Sequence, residues 1–303
     1  MVNLLIDTDI GDDIDDAFAL LYAMRSPEIN LRAITTVLDN TNARAQIALK
    51  LLSENGINDI PVYAGAVKPL VMPVDAMRPV PPQYLPETMS AIPISSTPAV
   101  EAIAGLLEDI ADLEILAIGP LTNIALLIEQ YPAAASKIKR IHIMGGSYYH
   151  SMNEWNIERD PEAASVVFNA GIPLRLVGLD VTTRCRLSTE QVQEIRSAGG
   201  SVATLAHMMD IWISQQERDG VSMPILHDPL AVHSIINDAD VQFQKEEVKI
   251  ELKGEFTRGT TFIEPYRLWG GKVPDTRFDV AYNVDAPRFI QHFFRTCFAE
   301  LIK

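Results

Sequence analysis

The chain has 303 residues, 48% of them hydrophobic, with a net charge of −15 and a pI near 4.8. That supports a large core and argues against general nucleic-acid binding, which needs a basic surface, and no apolar run suggests a membrane span. Two cysteines, Cys185 and Cys297, are too few for a disulfide framework or a zinc site, and no basic leader-like segment precedes the first strand, so a reducing cytoplasm is the expected setting.

An apolar run over 2–6 predicts a short buried strand, and 17–24 predicts a helix. Asp7, Asp9, Asp12, Asp13, Asp15 and Asp16 crowd the ground between them. A strand at 31–37, a helix at 42–54 closed by Asn55-Gly56, and a short strand at 62–64 follow. Eight prolines between 68 and 98 break any regular pattern, which predicts a long loop or lid. Helices at 98–109 and 122–130 flank a strand at 113–118 that ends in Gly119-Pro120. A strand at 140–144 ends in Gly145-Gly146, and Asp160-Pro161-Glu162 opens a helix with proline at its first position. A strand at 174–180, a helix from Ser188, another at 202–218, an exposed strand at 245–253 and an amphipathic closing helix at 287–302 complete the chain. Strands and helices alternate without a repeat. This predicts one α/β domain over 1–303: a Rossmann-like open, mainly parallel sheet flanked by helices.

In such a sheet the acidic turn lies at the carboxyl edge of the first strand, where ligands bind. Six aspartates side by side cannot all be ionised without strong repulsion. A hard cation would relieve it, and oxygen donors suit calcium or magnesium. Helix capping accounts for one or two acids, such as Asp13 and Asp15, but not for Asp7 and Asp9 at the end of a buried strand. A calcium EF-hand is excluded, because Gly11 falls one place too early and Phe18 stands where the closing glutamate belongs.

Other strand ends carry unusual residues. Asn40 follows the second strand. Gly119-Pro120-Leu121-Thr122 forms a turn that could aim a carbonyl inward, and Met144-Gly145-Gly146 lets backbone approach a ligand closely. His227-Asp228 precedes another helix-like run. Each also has a plain structural reading: an Asx-turn, a turn, a glycine pair without dinucleotide spacing, and a helix cap. His142, His150, His207, His233 and His292 show no spacing that suggests zinc.

Together the segments resemble the inosine–uridine nucleoside hydrolase family. Asp7-Thr8-Asp9-Ile10-Gly11 with Asp15-Asp16-Ala17 is similar to its acidic motif. Ile34-Thr35-Thr36-Val37 with Asn40, Gly119-Pro120-Leu121-Thr122-Asn123, Met144-Gly145-Gly146, Glu154-Trp155-Asn156 with Asp160-Pro161-Glu162, Gly178-Leu179-Asp180-Val181-Thr182 and His227-Asp228-Pro229 follow in the family's order. The resemblance implies calcium-dependent hydrolysis of the N-glycosidic bond of ribonucleosides, as in nucleoside catabolism and salvage, by a homodimer or homotetramer. It implies that Asp9 deprotonates the attacking water. Asp7, Asp9, Asp16 and Asp228 would hold the metal with the Thr122 backbone carbonyl. Asp15, Asn40, Glu154 and Asn156 would contact ribose hydroxyls, with Met144, Asn153 and Asp228 as further substrate contacts, and His227 would serve as the acid near the leaving base.

The chain also departs from that pattern. Three residues separate Gly11 from Asp15, where the common motif has one, so either Asp13 or Asp15 could take the ribose role. Asp39 stands before Asn40 where glycine is usual, and the Pro-rich segment replaces a His- and Gly-rich lid. Two rivals are weaker. A haloacid-dehalogenase-type phosphatase, with Asp7 as nucleophile and magnesium as cofactor, leaves His227-Asp228 unexplained. A non-catalytic nucleoside- or ribose-binding protein of the same fold has no need of Asp9, Asp16, His227 and Asp228 together.

Overall fold

A computed structural model describes residues 1–71, 80–85, 93–216, 223–237, 239–266, 269–271 and 278–298. In β1 (Val2–Thr8), Leu4 and Ile6 pack into one apolar layer and Leu5 into the other, all three without solvent exposure. This is the signature of a strand covered on both faces. Beside it run β2 (Ile29–Thr36), β3 (Val62–Ala64), β4 (Glu114–Ala117), β5 (Arg140–Met144) and β6 (Leu174–Val177), followed later in the chain by β7 (Val241–Lys245), β8 (Val248–Ile250), β9 (Thr261–Ile263) and β10 (Phe278–Val284). The main sheet has the order β3-β2-β1-β4-β5-β6-β10-β7, and β8 with β9 forms a separate hairpin. All pairings in the main sheet are parallel except that of β10 with β7.

The helices are α1 (Asp15–Arg25), α2 (Thr41–Glu54), α3 (Ala99–Asp109), α4 (Thr122–Gln130), α5 (Pro132–Ala135), α6 (Trp155–Arg159), α7 (Pro161–Asn169), α8 (Leu179–Thr182), α9 (Thr189–Arg196), α10 (Ala203–Gln216), α11 (His227–Ile236) and α12 (Ala286–Phe298). Side chains of α1, α2, α9, α10, α11 and α12 share one core with Leu4 and Ile6. Those of α3, α4, α5 and α7 share the other with Leu5. The expected doubly wound α/β architecture is therefore present. Strand order reverses between β1 and β4, so a crevice opens at their carboxyl ends. Among the described residues, no helix is long and apolar enough to cross a membrane.

Several boundaries differ from expectation. The strand expected at 174–180 stops at Val177, because extended Gly178 caps α8. The exposed strand expected at 245–253 divides: β7 pairs with β10, and β8 pairs with β9 and buries Val248 in the second core. α11 begins at His227 itself rather than after it. The ends of the helices expected at 202–218 and 287–302 fall partly outside the described residues, as do 72–79 and 86–92 of the Pro-rich segment.

Candidate functional site

The site begins where β1 ends. Register places Asp7 opposite Thr35 of β2, and the Thr35 hydroxyl donates to Asp7 Oδ1 at 2.6 Å. Asn123, at the start of α4, donates to the same oxygen at 2.7 Å. Asp7 Oδ2 is buried and has no hydrogen-bond partner among the described residues. The Thr8 hydroxyl donates to the Asp16 carboxylate and accepts from the Ile10 N–H at 3.1 Å. Gly11, at φ +117°, lets the loop turn under Pro81; a Cβ there would lie 2.7 Å from the proline Cβ. Gln83, wholly buried, donates through Nε2 to the Asp13 carbonyl at 2.8 Å and through its N–H to the Gly11 carbonyl at 3.1 Å. Described residues of the Pro-rich segment thus brace the acidic loop.

Two helix N-termini then meet. α1 carries Asp15 and Asp16 in its first turn, and α11 carries Asp228. The Asp228 N–H donates to Asp15 Oδ2 at 3.1 Å. Oxygens of Asp15, Asp16 and Asp228 lie within 4.8 Å of one another, and all three residues are buried. Burial pushes their carboxyl pKa values well above the usual range, and the neighbouring carboxylates push in the same direction. Asp9 rises to about 7 through burial, an effect opposed by the Arg44 charge and reinforced by Asp12. Asp7 rises to about 7 through burial, against the pull of Thr35 and Asn123. The helix N-termini favour negative charge here but are worth only about 0.3–1 kcal/mol each. An all-oxygen donor set, three converging buried carboxylates and an orphaned Asp7 oxygen fit a hard divalent cation.

Asp9 and the three converging acids border a cavity of about 390 Å³. Asp9, Asp12, Asp13, Asp15, Asp16, His227 and Asp228 line it, together with Met144, Asn153, Glu154, Trp155 and Asn156. Glu154 caps α6. Its Oε1 accepts from the Asn156 N–H at 2.9 Å, and its Oε2 from the N–H groups of Gly146 at 2.9 Å and Ile157 at 3.1 Å. Burial raises its pKa, and these three donors counter the shift. Asn156 Nδ2 donates to the carbonyls of Met144 at 3.1 Å and Ile118 at 3.2 Å. Asn153 bonds the β8–β9 connection, giving Nδ2 to the Arg258 carbonyl at 3.0 Å and accepting the Thr260 hydroxyl at 2.6 Å. His227 Nδ1 lies 2.7 Å from the Thr182 hydroxyl, and burial pushes the imidazole pKa down to about 4.

Most expected site residues therefore converge. Asp7, Asn40 and Thr122 lie outside the lining of the cavity. Asn40 caps α2, accepting from the Ala43 N–H at 3.0 Å. The Thr122 hydroxyl donates to Asp160 at 2.6 Å. Asp15, expected to contact ribose, shares the acidic triad with Asp16 and Asp228. Gly119 sits so close to Asp9 that a Cβ would lie 2.9 Å from the Asp9 nitrogen, which accounts for the glycine in that turn. Sequence reasoning did not single out Gln83 as the brace, Trp212 and Gln216 in the lining, or Arg44 behind the loop. A wider surface groove between α9 and α12, lined by Glu190, Glu194 and Phe294, gathers no comparable set of buried acids.

Residues 4–291 match the family model described as inosine-uridine preferring nucleoside hydrolase. The chain is 35% identical to the pyrimidine-specific ribonucleoside hydrolase RihA of Escherichia coli O9:H4 (strain HS), with 95% of each chain covered. It is 33% identical to the RihA of Citrobacter koseri at the same coverage. Among solved structures it resembles a purine-preferring ribonucleoside hydrolase from Gardnerella vaginalis, with a TM-score of 0.86, 27% identity and coverage of 99% of this chain and 98% of that one.

Removing one acid should have opposite effects with and without a cation. In Asp16→Asn the amide oxygen can still accept from Thr8, and one charge leaves the cluster. The cation-free variant is expected to melt at or above the wild-type temperature at pH 8, while calcium no longer raises its Tm. Thermal melts with calcium or chelator read this directly; a full calcium-induced shift in the variant would remove Asp16 from the cation site.

Proposed function

The chain belongs to the inosine-uridine preferring nucleoside hydrolase family, and from that footing we propose that it is a calcium-dependent enzyme that splits ribonucleosides into free base and ribose. The observation that carries the reading is the buried triad of Asp15, Asp16 and Asp228 in one cavity with Asp9 and His227. Calcium is the cation of choice because the donors are oxygens on two helices and a loop, a set that suits its large, flexible coordination. In this reading Asp7, Asp9, Asp16 and Asp228 hold it together with the Thr122 carbonyl, and the triad geometry adds Asp15 as a neighbour. When bound, calcium would supply positive charge that orients the ribose diol and makes a nearby water more acidic.

The chain's own groups then divide the work. Asp9 accepts the proton of the attacking water, a role that general bases fill for about 10²–10⁴-fold in rate. Cleavage of the ribosyl bond builds positive charge on the sugar, which the surrounding carboxylates stabilise. Asp15, Asn40, Glu154 and Asn156 hold ribose hydroxyls, and Met144 and Asn153 complete the sugar pocket. His227, with its pKa lowered to about 4, is neutral near pH 7. If Nδ1 accepts from Thr182, its Nε2 carries the proton and can donate it toward the leaving base. A homodimer or homotetramer working in nucleoside salvage in the cytoplasm completes the reading, on the strength of the family resemblance.

The names of the relatives point to opposite base preferences, so the deciding experiment is a panel of purine and pyrimidine ribonucleosides assayed for free base and ribose, with calcium or chelator. Release of both products, lost with chelator and regained with calcium, is expected; no release from any ribonucleoside would overturn the proposal. His227→Ala should slow natural nucleosides by about 10²–10⁴-fold and an activated nitrophenyl riboside far less. Equal losses on both would argue against proton donation to the leaving group.

A further inference from the structure

Arg44 heads the largest fully buried side chains among the described residues, with no solvent exposure, and it lies directly behind the acids. It projects from the first turns of α2 and spends its donors on two separate strand-end loops. From the loop after β1 it takes the carbonyls of Asp9 and Ile10, the latter at 3.0 Å, and the Asp12 carboxylate at 2.8 Å. From the loop after β2 it takes the Leu38 carbonyl at 2.8 Å through Nε, and Asp39 Oδ2 lies 4.0 Å away. Arg44 is absent from the lining of the cavity, and its donors turn to the loops behind it.

The second loop needs such a hold. Leu38 and Asp39 sit consecutively at φ 70° and 57°, the left-handed region that disfavours side chains. Their N–H groups are tied to the Ala66 and Val67 carbonyls at 2.8 and 2.9 Å, and Arg44 secures the Leu38 carbonyl. Asn40 follows directly and caps the helix that carries Arg44. Asp12, one of the acids inserted after Gly11, is thereby occupied as a partner of the guanidinium.

We infer that Arg44 is a positioning residue for ribose recognition, locking the Asp9–Asp12 loop to the Leu38–Asn40 loop so that the carboxylates and the ribose contacts keep one spacing. The inference rests on the proposed ribonucleoside hydrolase reading for its substrate. What matters is the planar fork, which reaches several acceptors at once; a lysine would keep the charge and lose that geometry.

The test compares wild type, Arg44→Lys and Arg44→Gln on uridine, 2′-deoxyuridine and 3′-deoxyuridine, with calcium affinity measured separately by calorimetry and folding by circular dichroism. Both variants are expected to lose about 10²-fold in kcat/KM on uridine. The preference for uridine over the deoxynucleosides should shrink about tenfold, with calcium binding weakened in both variants. Arg44→Lys with wild-type preference and calcium affinity, or with equal losses on all three nucleosides, would overturn the inference. If Arg44→Lys does not fold, Asp12→Asn, which keeps the guanidinium and removes its carboxylate partner's charge, carries the comparison: a smaller shift of the same sign supports the lock, and none overturns it. Should the wild type split no nucleoside, the functional reading fails by itself, and unchanged calcium affinity in the variants would sink the lock separately.

Discussion

The structure depends on one electrostatic constraint: carboxylates buried at the end of β1 and at two helix N-termini cannot all be ionised there unaided. Three of them are held in place by bonds that do not neutralise them. Thr35 and Asn123 hold Asp7, Thr8 holds Asp16, and the Asp228 amide holds Asp15. Hydrogen bonding lowers such pKa values, yet burial wins at Asp7 and Asp9, which reach about 7. Two compensations remain. One is Arg44, behind the acidic loop; the other would be a cation in the cavity. Arg44 serves Asp12 and several carbonyls, which leaves the triad of Asp15, Asp16 and Asp228 for the cation.

The fold makes this crowding possible. In the doubly wound sheet the strand order reverses between β1 and β4, and the connections on either side diverge to leave a crevice. Loops from β1, β4 and β5 reach it from the sheet. α11 arrives from elsewhere in the chain and adds His227 and Asp228, so residues more than 200 positions apart share a hydrogen bond. The two helix N-termini meet there because α1 packs against α11 in the same core.

Much of this was legible in the sequence. Six aspartates after an apolar run already demanded an explanation, and the order of the later segments identified the family and most of the lining. What stayed hidden depends on three-dimensional neighbours. Arg44 reads as an ordinary basic residue on a helix, because only tertiary packing reveals that its solvent is two loops. Asp15 and Asp16 are adjacent in sequence, and pattern alone could not say that both reach the triad. Thr182 carries no signal for orienting His227. The division of 245–253 between two sheets follows from its pairing partners, since the distant β10 claims β7 and the nearby β9 claims β8.

A divalent cation in the cavity would discharge this cluster. Burial raises the carboxyl pKa values of Asp7 and Asp9 to about 7 and those of Asp15, Asp16 and Asp228 well above the usual range, so cation binding is expected to release protons. Calorimetric titration of chelator-stripped protein with calcium, repeated in buffers of different ionisation enthalpy, counts those protons. Saturable binding with net proton release at pH 6 is expected. Absence of saturable binding, or binding at pH 6 without proton release, would contradict it.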